Sequence, residues 1–263
     1  LRNDPLHMVT LRVESSVQEF CENLIQSVGL VKGKNHLKLL QSASKFIDRG
    51  INAFLSRSRK LNEISVVRSI SQLIVQGHGL FLANSMPIRD MDMYAASGKN
   101  AVRVGANRGA SGIDGAIATA AGFSKGLNRP VTVLLGDLAF LHDVNSLAML
   151  RHAAKPITLV VINNNGSGIF SFLPIAQFKN IFEQYFGTPH DLTFSAAAKL
   201  FDLEYHQPRT NEEFVKIYKN CLAAKKSTLI EVRTDRAENH RIHENLQTTL
   251  RAALNKYFTK THI

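Results

Sequence analysis

The sequence contains few cysteines, no long hydrophobic run and fewer acidic than basic residues. Its two cysteines, Cys21 and Cys221, stand apart from each other and from any histidine pair, so they form no zinc-binding pattern and do not indicate an oxidising compartment. The longest apolar runs, VTVLL and ITLVVI, are as long as a strand and fall short of the roughly 18 residues of a membrane span. With 44% hydrophobic and 20% charged residues, the composition is typical of a globular protein with one large or two small domains.

Most of the excess positive charge lies in one segment, residues 32–60. The chain carries a formal net charge of +11, and Asp48 is the acidic residue among the basic ones of this segment. Apolar residues recur there at helical spacing, which predicts an amphipathic helix with a solvated basic face. A nucleic-acid or membrane surface is the alternative, but the segment has no RNA-binding motif and no basic ribbon interleaved with aromatic residues. We therefore expect neither a nucleic-acid partner nor a membrane span.

From about residue 78 onward, short apolar runs alternate with helix-like stretches. The apolar runs predict strands at residues 79–83, 101–104, 131–135, 157–162, 203–206 and 228–232. The helix-like stretches cover residues 113–125, 143–153, 194–201 and 212–223. Strands that alternate with helices of this length indicate crossover connections. The sequence therefore predicts an α/β fold, with a doubly wound, mostly parallel six-stranded sheet and helices on both of its faces.

The first 75 residues follow a different pattern. They are helix-rich, more polar and less regular, which predicts the end of a preceding domain and a connector, and residues 76–263 would then form the sheet domain. The chain also begins with Leu1 rather than Met and has no signal-peptide layout, so we expect it to be a piece of a longer protein.

Polar residues follow two predicted strands at the edge where ligands gather in parallel sheets. Gly-Asp at 136–137 ends one strand, and Asn-Asn-Asn-Gly at 163–166 ends the next. If these strands are neighbours, the side chains of Asp137 and Asn164 can converge. A carboxylate, an amide oxygen and a carbonyl at a glycine turn are oxygen donors of the kind that Mg²⁺ prefers beside a substrate phosphate. A lone Asn-Gly run is more often a polar turn, but the combined pattern predicts a site for a magnesium diphosphate.

A glycine-rich turn, NRGASGIDG at residues 107–115, follows the strand near Val104. Its glycine spacing, GxxGxxG, differs from the GxGxxG of dinucleotide-binding folds and from the GxxxxGK[ST] of P-loops. The turn opens a helix of small residues, and a tight structural turn is the simpler interpretation. Arg108 within it carries the planar guanidinium group that suits a carboxylate or a phosphate.

Two stretches resemble the thiamine diphosphate motif, which begins with Gly-Asp and ends with Asn-Asn. They are GDLAFLHDVNSLAML at 136–150 and VVINNNGSGIFSFLP at 160–174. Two further motifs, NSMPIRD at 84–90 and the glycine-rich turn, make the resemblance specific to the MenD family. Its members are the 2-succinyl-5-enolpyruvyl-6-hydroxy-3-cyclohexene-1-carboxylate synthases. The resemblance covers about residues 80–210. Family members decarboxylate 2-oxoglutarate on thiamine diphosphate and add the succinyl carbanion to isochorismate, on the way to menaquinone or phylloquinone. The resemblance thus implies thiamine diphosphate and Mg²⁺ as cofactors, with Mn²⁺ as an alternative ion, and 2-oxoglutarate and isochorismate as substrates.

The resemblance also implies roles for individual residues. The metal ligands would be Asp137, Asn164 and the carbonyl of Gly166, and the remaining cofactor contacts would be Gly136 and Ile113, the latter as a wedge under the bent cofactor. The residues that grip substrate carboxylates would be Ser85, Arg89 and Arg108. The apolar wall around the reacting carbon would be Ile169, Phe170 and Leu173.

Simpler interpretations exist for several of these residues. The three apolar residues of the wall would also suit the core that follows a strand. Arg89 would also suit a surface pair with Asp90 or Asp92, and Ser85 would suit the start of a turn. His142 and His152 have no evident partner, so we assign them to structure or surface rather than to acid–base chemistry.

The resemblance further implies parts that this chain lacks. Family members have a middle domain and a pyrimidine-binding domain, and the latter supplies the glutamate that activates the cofactor. We therefore expect no catalytic residue in this chain, and an active site between the subunits of a homodimer or homotetramer, in the cytoplasm or in the plastid stroma of a photosynthetic eukaryote. The alternatives are another thiamine diphosphate-dependent 2-oxo-acid decarboxylase or ligase, and a non-catalytic subunit that completes its site with a partner chain.

Overall fold

The structure is a computed structural model that describes residues 8–28, 36–97 and 101–260. The chain divides into two compact units, Leu1–Lys45 and Phe46–Ile263. The first unit contains helix α1, Val17–Ser27. Helix α2, His36–Leu55, spans the boundary between the units. The helix predicted within residues 32–60 is therefore present over residues 36–55, and residues 32–35 lie outside the described ranges.

One sheet of six strands forms the centre of the second unit. The strands are β1 Gly79–Leu82, β2 Arg103–Ala106, β3 Val131–Gly136, β4 Ile157–Asn163, β5 Glu204–His206 and β6 Thr228–Arg233. Their order across the sheet is β2-β1-β3-β4-β6-β5, and every neighbouring pair is parallel. The predicted fold class and all six predicted strands are confirmed. The largest shift is in β2, which begins at residue 103 rather than 101.

Helices pack on both sides of the sheet. They are α3 Glu63–Leu73, α4 Met86–Tyr94, α5 Ala116–Leu127, α6 Asp137–His142, α7 Leu147–Arg151, α8 Lys179–Phe182, α9 Ser195–Leu200, α10 Asn211–Ala223 and α11 Arg236–Lys260. The predicted helix at 143–153 is shorter than expected, because a 3₁₀ turn, Val144–Ser146, precedes α7. The sequence pattern did not indicate α4, α6, α8 or α11. None of the helices in the described ranges is long and apolar enough to cross a membrane.

Alternate strand residues face opposite layers of helices. Along β4, Val160 and Ile162 belong to the core cluster that includes residues of α3, α4, α10 and α11. Leu159 and Val161 belong to the cluster that includes residues of α5, α6, α7 and α9. All residues of β4 are buried, as expected for a parallel strand covered on both faces. The prediction of helices on both faces is confirmed.

The position of α3 bears on the predicted domain boundary near residue 75. This helix precedes that point, yet Val66, Val67 and Ile70 are buried in the same core cluster as β1 and β3. In this structure the sheet therefore packs against residues on both sides of position 75. The assignment of residues 1–75 to the end of another domain stays a prediction.

The strand order changes direction between β1 and β3. These strands are neighbours, but β1 pairs on its other side with β2, whereas β3 pairs with β4. Leu82 lies opposite Leu134, and Gly136 lies opposite Ile162, so the residues that follow the three strands meet at one edge. Such a switch point, at the carboxyl ends of parallel strands, is where α/β folds bind ligands.

A buried pair of side chains connects α4 to α11. His243 Nε2 lies 2.9 Å from Asp90 Oδ1, and His243 Nδ1 lies 2.9 Å from the backbone carbonyl oxygen of Asn239. The two side chains of the pair are 1% and 2% exposed. Tyr94 packs its ring edge-on against the imidazole. The polar helix α11 is therefore held on the sheet domain by this pair as well as by apolar contacts.

The environment of His243 favours its charged form. Both ring nitrogens face oxygen atoms, an arrangement that suits an imidazolium, in which each nitrogen donates a hydrogen bond. Burial by itself disfavours that cation, but the hydrogen bond and the charge of Asp90 outweigh burial and raise the pKa of His243 above its ordinary value. A histidine whose pKa is raised on folding contributes stability below its unfolded pKa, about 6.5, and that contribution is lost as the pH rises through the folded pKa.

We expect His243→Asn to lower the free energy of unfolding by roughly 3 kcal/mol near pH 6, because Asp90 is then buried without its counter-charge. The difference from the wild type should shrink as the pH rises, since the wild-type imidazolium loses its proton. Urea unfolding at a series of pH values measures this difference. His240→Asn is the control, because His240 lies on the same helix and its side chain is 32% exposed. A difference that is independent of pH would contradict the charged pair.

Candidate active site

A cavity of about 290 Å³ opens at the switch point. Its lining includes residues that follow β1, β3 and β4, together with part of the glycine-rich turn after β2. The predicted site residues that line it are Ser85, Arg89, Arg108, Ile113, Gly136, Asp137, Asn164, Gly166, Ile169 and Phe170. Leu173 is outside this lining and is 47% exposed. His142 and His152 are exposed and also lie outside it.

Asp137 is a buried carboxylate in the cavity lining, at the junction of β3 and α6. Its Oδ1 accepts a hydrogen bond from the Leu138 N–H at 2.7 Å, and its Oδ2 accepts one from the Gly166 N–H at 2.8 Å. Oδ2 also lies 3.2 Å from His190 Nε2. These contacts hold the carboxylate in one orientation and bring the loop after β4 against the end of β3.

The hydrogen bonds of His190 determine its tautomer. Its Nδ1 lies 2.9 Å from the Leu192 N–H and accepts that hydrogen bond. In the neutral ring the proton is therefore on Nε2, which donates to Asp137. Sequence reasoning missed His190, because it lies far along the chain from Asp137 and belongs to no motif that points to the site.

Asn164 has one satisfied and one unsatisfied end. Its Nδ2 donates to Glu63 Oε1 at 3.0 Å. Its Oδ1 is buried and has no hydrogen-bond partner among the described residues. An unpaired buried acceptor costs free energy, and in native proteins such an atom calls for an explanation. A metal ion would complete the coordination of this oxygen, so the donor set here fits the predicted magnesium site.

The three consecutive asparagines have three different roles. Asn163 Nδ2 donates to the buried carboxylate of Glu231 at 2.6 Å, inside the domain. Asn164 lines the cavity. Asn165 Oδ1 accepts hydrogen bonds from the N–H groups of His190 and Asp191, at 2.9 and 2.8 Å. Only the middle asparagine therefore faces the site, while its neighbours hold the ends of the loop.

Gly166 occupies a position that no other residue type would fit. Its φ is +124°, in the region that favours glycine. A Cβ atom built there would lie 2.0 Å from the carbonyl oxygen of Gly187. The neighbouring Ser167 N–H donates to the same carbonyl at 2.8 Å. The turn after β4 is thus packed tightly against the segment that leads to His190.

Asn84 connects the end of β1 to the glycine-rich turn. Its Oδ1 accepts a hydrogen bond from Arg108 Nη1 at 2.9 Å, and its Nδ2 donates to the carbonyl of Gly112 at 2.6 Å. The turn continues to Ile113, which is half-buried and lines the cavity. Asn84 belongs to the NSMPIRD motif, but the sequence analysis predicted no role for it. In the structure it is 3% exposed and contacts both Arg108 and the turn.

The first turn of α5 is held by Asp143. Its Oδ2 accepts hydrogen bonds from the N–H groups of Ile117 and Ala118, at 2.6 and 3.0 Å. A carboxylate at this place satisfies free N–H groups of the helix and complements its dipole. The glycine-rich turn is therefore anchored at both ends, by Asn84 before it and by Asp143 after it.

Two guanidinium groups lie at the exposed side of the cavity. Arg89 Nη1 donates to the backbone carbonyl of Ser85 at 2.7 Å, and Arg108 contacts Asn84. Within the described part of the chain, neither arginine pairs with a carboxylate, and Asp90 pairs instead with His243. Ser85 has a positive φ of 73°, which is uncommon for a residue other than glycine and often marks a functional site. Both arginines therefore retain N–H donors for an anionic ligand.

Glu63, at the start of α3, is the buried carboxyl group at the floor of the cavity. It is 2% exposed, and its Oε1 accepts hydrogen bonds from Asn164 Nδ2 and, at 2.9 Å, from Thr234 Oγ1. Burial, together with the charge of Asp90, raises the pKa of Glu63 to about 7. Sequence reasoning missed this residue, because it lies in the part of the chain that was assigned to another domain.

We expect Gly166→Ala to lower the free energy of unfolding by roughly 3 kcal/mol, because it adds backbone strain and a contact with the Gly187 carbonyl. Gly126→Ala is the matched control. Gly126 lies inside α5, where an added Cβ meets nothing within 4 Å, so that change should stabilise the protein by about 0.5–1 kcal/mol. Urea unfolding measures both. Equal effects of the two substitutions would contradict the tight turn.

Comparisons with known proteins point to one family. Residues 88–232 match the family described as thiamine pyrophosphate enzyme, C-terminal TPP binding domain. The chain is 49% identical to the 2-succinyl-5-enolpyruvyl-6-hydroxy-3-cyclohexene-1-carboxylate synthase of Rubrobacter xylanophilus, over 93% of this chain and 42% of the relative. It is 46% identical to the synthase of the same name from Prosthecochloris aestuarii, over 95% of this chain and 42% of the relative. The chain thus spans less than half the length of these curated relatives.

Proposed function

Because the chain belongs to the thiamine pyrophosphate enzymes through a C-terminal cofactor-binding domain, we propose that the cavity binds Mg²⁺ and the diphosphate of thiamine diphosphate. The observation that carries this proposal is the buried Oδ1 of Asn164, which has no partner among the described residues and lines the same cavity as Asp137. Asp137, Asn164 and the carbonyl of Gly166 would hold the metal, with Mn²⁺ as an alternative ion. Gly136 and Ile113 would contact the rest of the cofactor.

The charge of this donor set suits a metal diphosphate. Asp137 supplies one carboxylate, and the other two donors are neutral oxygens. A second ionised carboxylate in direct contact would repel the diphosphate, whereas an amide oxygen adds a ligand without that repulsion. When bound, thiamine diphosphate supplies a carbon that accepts the substrate and an electron sink for decarboxylation.

For the whole protein, we propose decarboxylation of 2-oxoglutarate and addition of the succinyl unit to isochorismate, which gives 2-succinyl-5-enolpyruvyl-6-hydroxy-3-cyclohexene-1-carboxylate. The names of the relatives support this product. Both proposed substrates carry two carboxylates, and Arg89 and Arg108 have N–H donors available at the exposed side of the cavity. A guanidinium group can bind a carboxylate through two parallel hydrogen bonds. Ser85 would add a hydroxyl donor beside them.

Apolar residues beside the metal site would exclude water from the reaction. Ile169 and Phe170 line the cavity just after the loop that holds Asn164, and the ring of Phe170 packs edge-on against Phe186. Exclusion of water strengthens the electrostatic contacts inside a site and prevents side reactions. Leu173 follows shortly after Phe170 in the chain, is exposed, and would contact substrate at the mouth of the cavity.

We further propose that this chain supplies part of the active site. Residues 76–263 would be the diphosphate-binding domain, residues 1–75 would end the preceding domain, and the glutamate that activates the cofactor would come from a pyrimidine-binding domain. In a homodimer or homotetramer that glutamate would belong to a neighbouring subunit. The reaction would take place in the cytoplasm, or in the plastid stroma of a photosynthetic eukaryote.

We expect Asp137→Asn to weaken Mg²⁺-dependent binding of thiamine diphosphate by at least roughly 100-fold, because it removes the carboxylate that holds the metal. Isothermal titration of the complete protein with the cofactor, with and without Mg²⁺, measures this loss. Asp202→Asn is the control, because Asp202 forms a surface ion pair with Lys226 and both residues lie outside the cavity lining. Unchanged cofactor binding by Asp137→Asn would refute the metal site.

Arg89→Lys and Arg108→Lys should leave cofactor binding intact and raise the KM for the carboxylate substrates roughly 10- to 100-fold, because lysine keeps the charge but cannot make two parallel hydrogen bonds. Steady-state kinetics with 2-oxoglutarate and isochorismate varied in turn would show which arginine serves which substrate. Arg103→Lys, on the exposed edge strand β2, is the control. Turnover of another 2-oxo acid without isochorismate would favour a different thiamine diphosphate-dependent enzyme.

A further inference from the structure

Either end of the Asn164 side chain could face the cavity, because an amide carries an oxygen and a nitrogen of nearly equal size. Only the oxygen can bind a metal ion, since the NH₂ group donates hydrogen bonds and has no lone pair available for a cation. The proposed metal site therefore needs a neighbouring group that fixes which end of the Asn164 amide faces the cavity. The partner at the inner end of Asn164 is the group that can do this.

That partner is Glu63. Its Oε1 lies 3.0 Å from Asn164 Nδ2 and 2.9 Å from Thr234 Oγ1. A carboxylate oxygen accepts hydrogen bonds from the amide nitrogen and would repel the amide oxygen. The NH₂ end of Asn164 is therefore held toward Glu63, and Oδ1 is left without a partner among the described residues.

A neighbouring pair shows what the same arrangement looks like without a metal site. Asn163 Nδ2 also donates to a buried carboxylate, that of Glu231. The other end of this amide, however, accepts a hydrogen bond from the Asn165 N–H at 3.3 Å. Two adjacent asparagines thus each contact a buried glutamate, but only Asn164 keeps its oxygen unpaired and in the cavity lining.

We propose that Glu63 is a positioning residue that orients the Asn164 amide and so directs Oδ1 to the metal ion. This inference rests on the proposed magnesium diphosphate site. Glu63 acts through Asn164 and does not bind the metal itself. Thr234, which begins the segment between β6 and α11, donates a hydrogen bond to the same carboxyl oxygen of Glu63.

A purely structural role for Glu63 would have a different signature. Loss of a buried hydrogen bond lowers the stability of the fold, but it does not by itself change how tightly a metal ion binds. A positioning role changes metal affinity, and it does so only while Asn164 is present. The coupling between the two residues therefore separates the two roles.

The experiment is a double-mutant cycle on Mg²⁺ affinity, measured in the complete protein by isothermal titration at saturating thiamine diphosphate. The variants are Glu63→Gln, Asn164→Ala and the two together. Glu63→Gln keeps the size of the side chain but adds an NH₂ group that can turn the Asn164 amide. We expect Glu63→Gln to weaken Mg²⁺ binding roughly 10- to 100-fold, and to have less than about a twofold effect when Asn164 is already alanine.

Glu231→Gln is the matched control, because it alters the equivalent contact of Asn163. It should lower the unfolding temperature without changing Mg²⁺ affinity. If Glu63→Gln does not fold, Glu63→Asp replaces it, since a shorter side chain withdraws the acceptor and should weaken Mg²⁺ binding as well. Additive effects of the Glu63 and Asn164 changes, or wild-type Mg²⁺ affinity in the Glu63 variant, would overturn the positioning role alone. Wild-type affinity in Asn164→Ala would overturn the proposed metal site together with this inference.

Discussion

The hydrogen bond from the Gly166 N–H to the Asp137 carboxylate is the contact on which the rest of the site depends. It joins the ends of β3 and β4, and it forms because the two strands are parallel neighbours whose carboxyl ends reach the same edge. Gly166 can make it only because its backbone lies in a region that favours glycine and because no side chain separates it from Gly187. If this contact were lost, the loop after β4 would no longer be held against the Asp137 carboxylate.

In and around the cavity lining, the fold buries polar groups and satisfies most of those in the described residues. Glu231 accepts hydrogen bonds from Asn163, Tyr205 and the Phe194 N–H, and Asp90 pairs with His243. Such groups are costly to bury unless they are paired. Against this background the unpaired oxygen of Asn164 is distinctive, because it lies where the proposed ligand would supply the missing partner. Two other buried atoms, Arg236 Nη1 and Asn239 Oδ1, are also unpaired among the described residues, and they lie outside the cavity lining.

The site also depends on helices that carry none of its motifs. Helix α3 supplies Glu63 at the floor of the cavity, and α11 holds α4 through the His243–Asp90 pair. Because α4 carries Arg89 and follows Ser85, the placement of a proposed substrate contact depends on a helix near the carboxyl end of the chain. The polar character of α11 explains why its sequence did not reveal it. Its contacts with the core come from a few apolar residues such as Leu246, and its buried histidine has a partner more than a hundred residues away.

The sequence by itself determined the α/β fold, the positions of the six strands and the identity of the residues at their carboxyl ends. Strand patterns are local, and the residues Asp137, Asn164 and Gly166 follow their strands directly, so a parallel sheet necessarily brings them to one edge. Only the tertiary structure decided which groups complete the site. Glu63, His190 and His243 act through contacts between residues that are distant in the chain, and no local pattern specifies where a buried side chain finds its partner. The orientation of the Asn164 amide is the clearest case, because it is set by a carboxylate that is a hundred residues earlier in the chain and adjacent only after folding.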